Sequence, residues 1–220
     1  MSSSSPCLKV SEIFFSLQGE ASRAGLPTVF IRLTGCPLRC RWCDTEYAFA
    51  GGTAMTLEEV LRATARFPAR RVCVTGGEPL AQKNCLVLLA RLCDQGYDVV
   101  LETSGALDVR AVDPRVVRIV DLKTPSSGEA ARNFVLIEDA GRALAARDEI
   151  KVVVADRADY DWAKARLNEH RLWQRCPVLL SPVADALAPA QLAAWMLEDG
   201  LNARLQLQLH KLIWGNMRGK

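Results

Sequence analysis

Cys36-Pro-Leu-Arg-Cys40-Arg-Trp-Cys43 places three cysteines within eight residues. In this C-x3-C-x2-C spacing, three thiolates can converge on one small inorganic centre. Closed structural zinc sites take four protein ligands, and ordinary iron–sulfur clusters take four cysteines. Three ligands leave one coordination position open, and an open position is where chemistry occurs. The alternatives are a structural zinc completed by a distant Cys or His, and three cysteines in an ordinary loop. Paired C-x-x-C zinc patterns fit this spacing poorly.

The other five of the eight cysteines read as ordinary residues. Cys73 lies in an apolar run, and Cys85 and Cys93 share one helical stretch. All three are expected to pack as small hydrophobes. Cys7 is placed before the first strand, and Cys176 precedes Pro177 with no obvious partner. None presents itself as a fourth ligand. The opening Met-Ser-Ser-Ser-Ser-Pro lacks the basic and apolar regions of a signal peptide, and no apolar run approaches a membrane span. The expectation is a cytoplasmic protein whose cysteines stay reduced. With 50% hydrophobic residues and a net charge of +3 spread along the chain, no dedicated nucleic-acid or membrane surface is expected.

Outward from the cysteines, short β-rich runs alternate with helical stretches. Strands are predicted at Thr28 to Leu33, Arg71 to Thr75, Asp98 to Glu102, Val116 to Asp121, Glu149 to Val154 and Val178 to Ser181. Helices are predicted at Leu57 to Phe67, Leu80 to Gln95, Asp159 to His170 and Pro189 to Asp199. Thr56 with Glu59 forms a capping-box pattern, and Gly96 suits a helix C-terminus. The stretch from Gly128 to Asp148 fits a loop with a short helix as well as one long helix. Near-continuous apolar strands such as Lys151-Val-Val-Val154 suit a parallel sheet covered on its faces.

About six βα units are too few for a complete eight-stranded barrel, which takes ~250 residues. A doubly wound open sheet satisfies the same alternation. The reading adopted is α/β, a partial (open) TIM-like barrel in a single domain over residues 1–220. Residues 1–6 are expected to be disordered and residues 212–220 to form a C-terminal extension. Either architecture places function at the carboxyl ends of the strands. Those ends carry Thr75-Gly-Gly-Glu-Pro79, Glu102-Thr-Ser-Gly105, Asp121-Leu-Lys-Thr-Pro125 and Ser181-Pro182. Any one could be a turn; four in series beside the cysteine loop predict a lined pocket.

These motifs resemble the radical S-adenosylmethionine (SAM) enzymes. More closely they are similar to the 7-carboxy-7-deazaguanine synthases, ring-contracting lyases of queuosine and 7-deazapurine biosynthesis. The matching segments are Phe14-Phe-Ser-Leu-Gln-Gly-Glu20, Phe30-Ile-Arg-Leu-Thr-Gly-Cys36, Trp42-Cys-Asp-Thr45, Thr75-Gly-Gly-Glu-Pro79, Glu102-Thr-Ser-Gly105 and Gln208-Leu-His-Lys211. Together they span nearly the whole chain. The resemblance implies a 4Fe–4S cluster on Cys36, Cys40 and Cys43, whose fourth iron chelates SAM. One electron then cleaves SAM to methionine and a 5′-deoxyadenosyl radical, the cofactor carrying the hard step. The implied reaction converts 6-carboxy-5,6,7,8-tetrahydropterin to 7-carboxy-7-deazaguanine with loss of ammonia.

Residue by residue, the resemblance implies SAM contacts at Gly77, Glu78, Ser104, Asp121, Leu122, Lys123, Ser181, Pro182, Val183 and Ala184. Gly77 suits a close backbone approach, since no Cβ intervenes. Substrate contacts are implied at Leu17, Gln18, Gly19, Glu20, Arg32, Asp44, Thr75 and His210, and a Mg2+ ligand at Thr45, a hard oxygen donor. Arg32 in an apolar strand needs a partner, either a structural carboxylate or the carboxylate of an anionic substrate. Implied partners are the pterin, an electron donor such as flavodoxin, and a second copy in a homodimer, with no direct nucleic acid and no membrane. Trp214 either covers the pocket or packs at a subunit contact. The competing readings are a radical SAM activase that makes glycyl radicals and a zinc-stapled binding module.

Overall fold

The computed structural model describes residues 6–215 and 217–220. The expected disorder at the start of the chain lies outside the described residues, apart from Pro6. Nine strands form one sheet in the order β3-β1-β2-β4-β5-β6-β7-β8-β9. They are β1 Cys7–Leu17, β2 Pro27–Leu33, β3 Thr53–Thr56, β4 Arg71–Gly76, β5 Asp98–Thr103, β6 Val117–Leu122, β7 Glu149–Val154, β8 Val178–Pro182 and β9 Arg204–Leu205. From β2 to β9 every neighbouring pair is parallel, while β1 runs antiparallel to both β2 and β3. The sheet is open, as expected of a partial barrel.

All six predicted strands are present; β1, β3 and β9 are additions. Cys7 therefore opens a strand, and its carbonyl accepts from Asn84. The helices are α1 Leu57–Thr64, α2 Asn84–Asp94, α3 Arg157–Glu169, α4 Pro189–Glu198 and α5 Leu209–Trp214. The Thr56–Glu59 capping box forms in full. Helix α2 starts later than predicted because Pro79–Ala81 winds as a separate 3-10 turn held by the Glu78 side chain. The stretch from Gly128 to Asp148 becomes short turns around a single π-helical turn, Phe134–Glu138. Among the described residues no helix is long and apolar enough to cross a membrane.

Strand alternation sorts the side chains onto two faces. Val29, Ile31 and Leu33 of β2, Val72 and Val74 of β4, and Ile150, Val152 and Val154 of β7 pack with α1 to α4 in the main core. The opposite face starts apolar, with Phe30, Cys73, Val100, Val117 and Ile119 in one buried cluster. One step further toward the carboxyl ends the same face turns polar. There stand Arg32, paired in register with Thr75, then Glu102, and Asp121 paired with Lys151. The apolar layer is the floor, and the polar layer opens on the functional edge.

Candidate functional site

A cavity of about 590 Å³ lies above that polar layer. Cys36, Cys40 and Cys43, in the loop after β2, all line it, as do Gly76 and Gly77 after β4, Ser104 after β5, Lys123 after β6, and Val183 and Ala184 after β8. Leu38 of the cysteine loop is 1% exposed and lines the cavity with the thiols. Its entry is clamped by Glu78 N–H donating to the Gly35 carbonyl at 2.7 Å and Gly77 N–H donating to the Leu33 carbonyl at 3.1 Å. A Cβ on Gly77 would meet Gly35 O at 2.4 Å and the Cys36 Cβ at 2.7 Å. The cysteine loop by itself leaves no room for a side chain at this position, which also lines the cavity.

The charged groups of the polar layer are ion-paired except Glu102, which accepts from Gln18 Nε2 at 3.2 Å. Lys151 Nζ donates to Glu20 at 2.6 Å and stands 3.3 Å from Asp121, whose other oxygen accepts from Lys123 at 2.6 Å. Gln208 Nε2 closes the row, donating to Glu20 at 2.5 Å. Burial opposes the charge on Lys151, but Asp121, Glu20 and Glu102 outweigh it and hold the ammonium well above its ordinary range. Burial likewise opposes ionisation of Asp121; Lys123 and Lys151 overcome it and hold the carboxyl below the usual carboxylate range. Lys123 is raised against its burial by Asp121 and Cys40. Burial pushes the Cys36 and Cys40 thiols up.

Arg32 is not a lone charge. Its Nε donates to Glu12 of β1 at 2.7 Å, and Tyr47 donates its hydroxyl to the same oxygen at 2.7 Å. The guanidinium lies near the rings of Phe14 and Tyr47. Arg32 therefore has a structural partner before any substrate is considered. Its terminal nitrogens have no hydrogen-bond acceptor among the described residues, and its side chain lines the cavity. Thr45 donates to Asp44 at 2.9 Å, and Asp44 faces Lys211 at 3.6 Å. Burial would raise the Asp44 carboxyl, but Lys211 and Thr45 bring it below its usual range.

Of the predicted residues, Leu17, Gln18, Gly19, Glu20, Arg32, Asp44, Thr45, Thr75, Gly77, Ser104, Asp121, Lys123, Val183, Ala184 and His210 line this one cavity with the three cysteines. Four do not reach it. Leu122 turns into the main core. Glu78 is fully buried and spends its carboxylate on Thr103, on the Ser104 hydroxyl and on the Ser104 N–H. Ser181 and Pro182 are buried in β8 below the cavity wall. Sequence reasoning missed Lys151, Glu12 and Tyr47, and gave Glu102 and Gln208 no individual role although both stand in quoted motifs. Lys151 carried a signal: it interrupts an apolar strand, the same feature that singled out Arg32. Trp214 is not a lining residue, whereas Met217, Arg218, Gly219 and Lys220 are.

Among the described residues, no three His, Cys, Asp or Glu side chains gather tightly enough to hold a single metal ion. The three thiols instead line a space. Soft sulfur donors facing a cavity, with no fourth beside them, suit an iron–sulfur cluster with one open iron. The carboxylate and ammonium of the same cavity suit a zwitterionic ligand such as SAM. The residues fit both groups.

Residues 30–121, from β2 through β6, match the model of the Radical SAM superfamily. That match defines the class, a radical SAM enzyme, and the class brings a 4Fe–4S cluster, SAM and a need for a reductant. The chain is 49% identical over 218 residues to a 7-carboxy-7-deazaguanine synthase of Chlorobaculum tepidum, covering 97% of each chain. It is 43% identical to one of Koribacter versatilis, over 94% of this chain and 97% of that one. Its fold superposes on the crystal structure of QueE from Escherichia coli with a TM-score of 0.73 at 27% identity, covering 93% of this chain and 95% of that chain. The chain belongs to the 7-carboxy-7-deazaguanine synthase family. The activase and zinc-module readings give way to it.

Proposed function

We propose that this chain converts 6-carboxy-5,6,7,8-tetrahydropterin to 7-carboxy-7-deazaguanine with release of ammonia. The observation that carries the reading is the charge-paired layer from Arg32 to Lys151, facing the same cavity as the three cysteines. A substrate with a carboxylate and an amino-pyrimidine edge needs cationic donors on one side and acceptors on the other. Arg32 offers unused guanidinium nitrogens, and Gln18, Glu20 and Glu102 offer oxygens.

Cys36, Cys40 and Cys43 hold the cluster in this reading, and Ser104, Asp121, Lys123, Val183 and Ala184 surround SAM. When bound, the pair supplies one-electron cleavage of SAM and a radical able to abstract hydrogen from the substrate. The chain's own residues do the rest by position. Arg32 fixes the substrate carboxylate through charge-assisted hydrogen bonds. Glu20 is held by Lys151 and Gln208, so its lone pairs are aimed before the substrate arrives, and orientation of this kind lowers barriers by several kcal/mol in favourable cases. The tail residues at the mouth help to exclude water. Thr45, whose hydroxyl is a hard oxygen donor, would hold Mg2+, and Asp44 beside it would face the substrate.

Exposed Leu212 and Ile213 on α5 support the homodimer reading. Exposed Arg39 and Arg41 beside the cysteines support an acidic electron carrier such as flavodoxin. A cytoplasmic location accords with the reduced thiols that the cluster needs. The test is anaerobic turnover with SAM, dithionite and the carboxytetrahydropterin, read by mass spectrometry. The deazaguanine product and free ammonia are expected. Cleavage of SAM with the pterin recovered unchanged would overturn the substrate assignment.

A further inference from the structure

The cysteine loop is fastened by a segment that the motifs do not include. Two of its backbone N–H groups find acceptors in the loop after β6. Arg39 N–H donates to the Glu129 carboxylate at 2.6 Å, and Arg41 N–H donates to the Ser127 carbonyl at 3.1 Å. Arg39 and Arg41 flank Cys40, so the acceptors bracket the middle cysteine.

The bracket is itself rigid. Ser127 donates its hydroxyl to the Thr124 carbonyl at 2.5 Å and accepts from Glu129 N–H at 3.0 Å. Thr124 and Ser126 are tied to Asp159, a 1%-exposed residue of α3 that accepts from both hydroxyls and from Ser126 N–H. Asn133, 2% exposed, closes the other end by accepting from Lys123 N–H and donating to the Lys123 carbonyl, both at 2.8 Å. One loop, pinned on Asp159 and Asn133, thus presents Lys123 to the cavity and Glu129 to the cysteines. The Glu129 carboxylate, 2.6 Å from the Arg39 nitrogen, therefore sits against the residue that directly precedes Cys40.

We infer that Glu129 is a positioning residue of the iron–sulfur centre: it fixes the cysteine loop through Arg39 N–H, and its negative charge beside Cys40 holds the cluster at a low reduction potential. A buried or half-buried charge near a redox centre acts through a low local dielectric, and a negative one disfavours the more negative, reduced form. The inference rests on the reading of Cys36, Cys40 and Cys43 as cluster ligands.

Two variants separate charge from geometry. Glu129→Gln keeps an oxygen acceptor for Arg39 N–H and removes the charge; Glu129→Ala removes both. Each is reconstituted anaerobically as the full chain, then assayed for iron, for EPR of the reduced cluster, for midpoint potential and for iron release to a chelator. The expected result is wild-type iron content and EPR shape in Glu129→Gln with a less negative potential. Glu129→Ala is expected to show the same shift, a changed EPR line shape and severalfold faster iron release. A wild-type potential in Glu129→Gln overturns the electrostatic role. Wild-type release and line shape in Glu129→Ala overturn the positioning role. A native protein that takes up no iron at all overturns the cluster reading, and is seen before either variant is made.

Discussion

His210 stands directly over Gly19: a Cβ placed on Gly19 would come within 2.1 Å of the imidazole Nδ1. The two residues are 191 positions apart in sequence (210 minus 19). Leu209 N–H donates to the Gly19 carbonyl at 3.0 Å and locks the two ends of the chain together. Both line the cavity, so the first turn after β1 and the start of α5 form one wall.

Gly19→Ala is therefore expected to displace His210 while leaving the fold intact. The new Cβ would meet Nδ1 at 2.1 Å and Cγ at 2.9 Å, so the whole imidazole must shift and overpacking costs about 1–3 kcal/mol. Substrate affinity should fall, and Gly19→Ala combined with His210→Ala should bind no worse than His210→Ala alone. Additive losses in that double mutant would show that Gly19 acts independently of His210.

Each of Cys36→Ala, Cys40→Ala and Cys43→Ala is expected to abolish SAM cleavage and prevent stable cluster assembly. Cys85→Ala should retain both. Cys85 is fully buried under the sheet, so losing its sulfur leaves a small void worth about 1 kcal/mol. Iron content, visible absorbance and urea denaturation distinguish the two groups of variants. A Cys40→Ala protein that cleaves SAM would remove the cluster assignment.

Lys151→Met tests the charge row. Without the ammonium, Glu20 and Asp121 face each other in a largely buried layer with only Lys123 and Gln208 to compensate. Breaking such a pair from one side costs about 3–5 kcal/mol. The pH dependence has a definite sign. Asp121 is held below its usual value in the native protein, so its contribution is complete above the unfolded carboxylate value of about 3.9 and is lost as pH falls through the folded value. The deficit of Lys151→Met should be full at neutral pH and shrink in acid, where protonation removes the charge that had lost its partner. A pH-independent difference between the two denaturation curves would contradict this.

Much of this site was legible because its parts sit at strand ends. The cysteine loop, Thr75-Gly-Gly and Asp121-Leu-Lys each follow an apolar run, and parallel topology brings such ends together. What was not legible depends on which face a side chain takes. Leu122 lies between two cavity residues, Asp121 and Lys123, yet alternation turns it into the core. Glu78 shares a motif with Gly77 but is drawn inward by Thr103 and Ser104. Strand β1 escaped notice because polar residues such as Ser11, Glu12 and Ser16 interrupt it, and its register shifts between Val10 and Glu12. Its Glu12 is nevertheless the partner that makes a buried Arg32 tolerable. The reach of Met217 to Lys220 over the cavity has no local sequence signature, since it is decided by tertiary packing alone.

Thr45→Ala should make turnover less responsive to Mg2+ while the cluster and slow SAM cleavage persist. The hydroxyl is a hard donor, and Asp44, which accepts from it, loses an orienting contact as well. Activity is titrated against Mg2+ after careful chelation. If turnover by the native enzyme is indifferent to the ion, Thr45 is a turn residue and nothing more.

The pairing of Arg32 with Glu12 sharpens the last expectation. Arg32→Ala removes both the structural partner of Glu12 and the unused nitrogens facing the cavity, so on its own it cannot tell the two roles apart. Arg32→Lys keeps a charge near Glu12 but loses the planar fork that grips a carboxylate at two points. If Arg32 binds substrate, Lys should restore most of the stability and little of the affinity. A charge-assisted hydrogen bond contributes about 1.5–3 kcal/mol, so the substrate Kd should rise roughly ten- to a hundredfold in both variants. Glu12→Gln serves as the comparison, because it disturbs the pair while leaving the guanidinium in place; its affinity should change far less. Equal affinity losses in Glu12→Gln and Arg32→Lys would mean that the salt bridge, not contact with the substrate, is what Arg32 contributes.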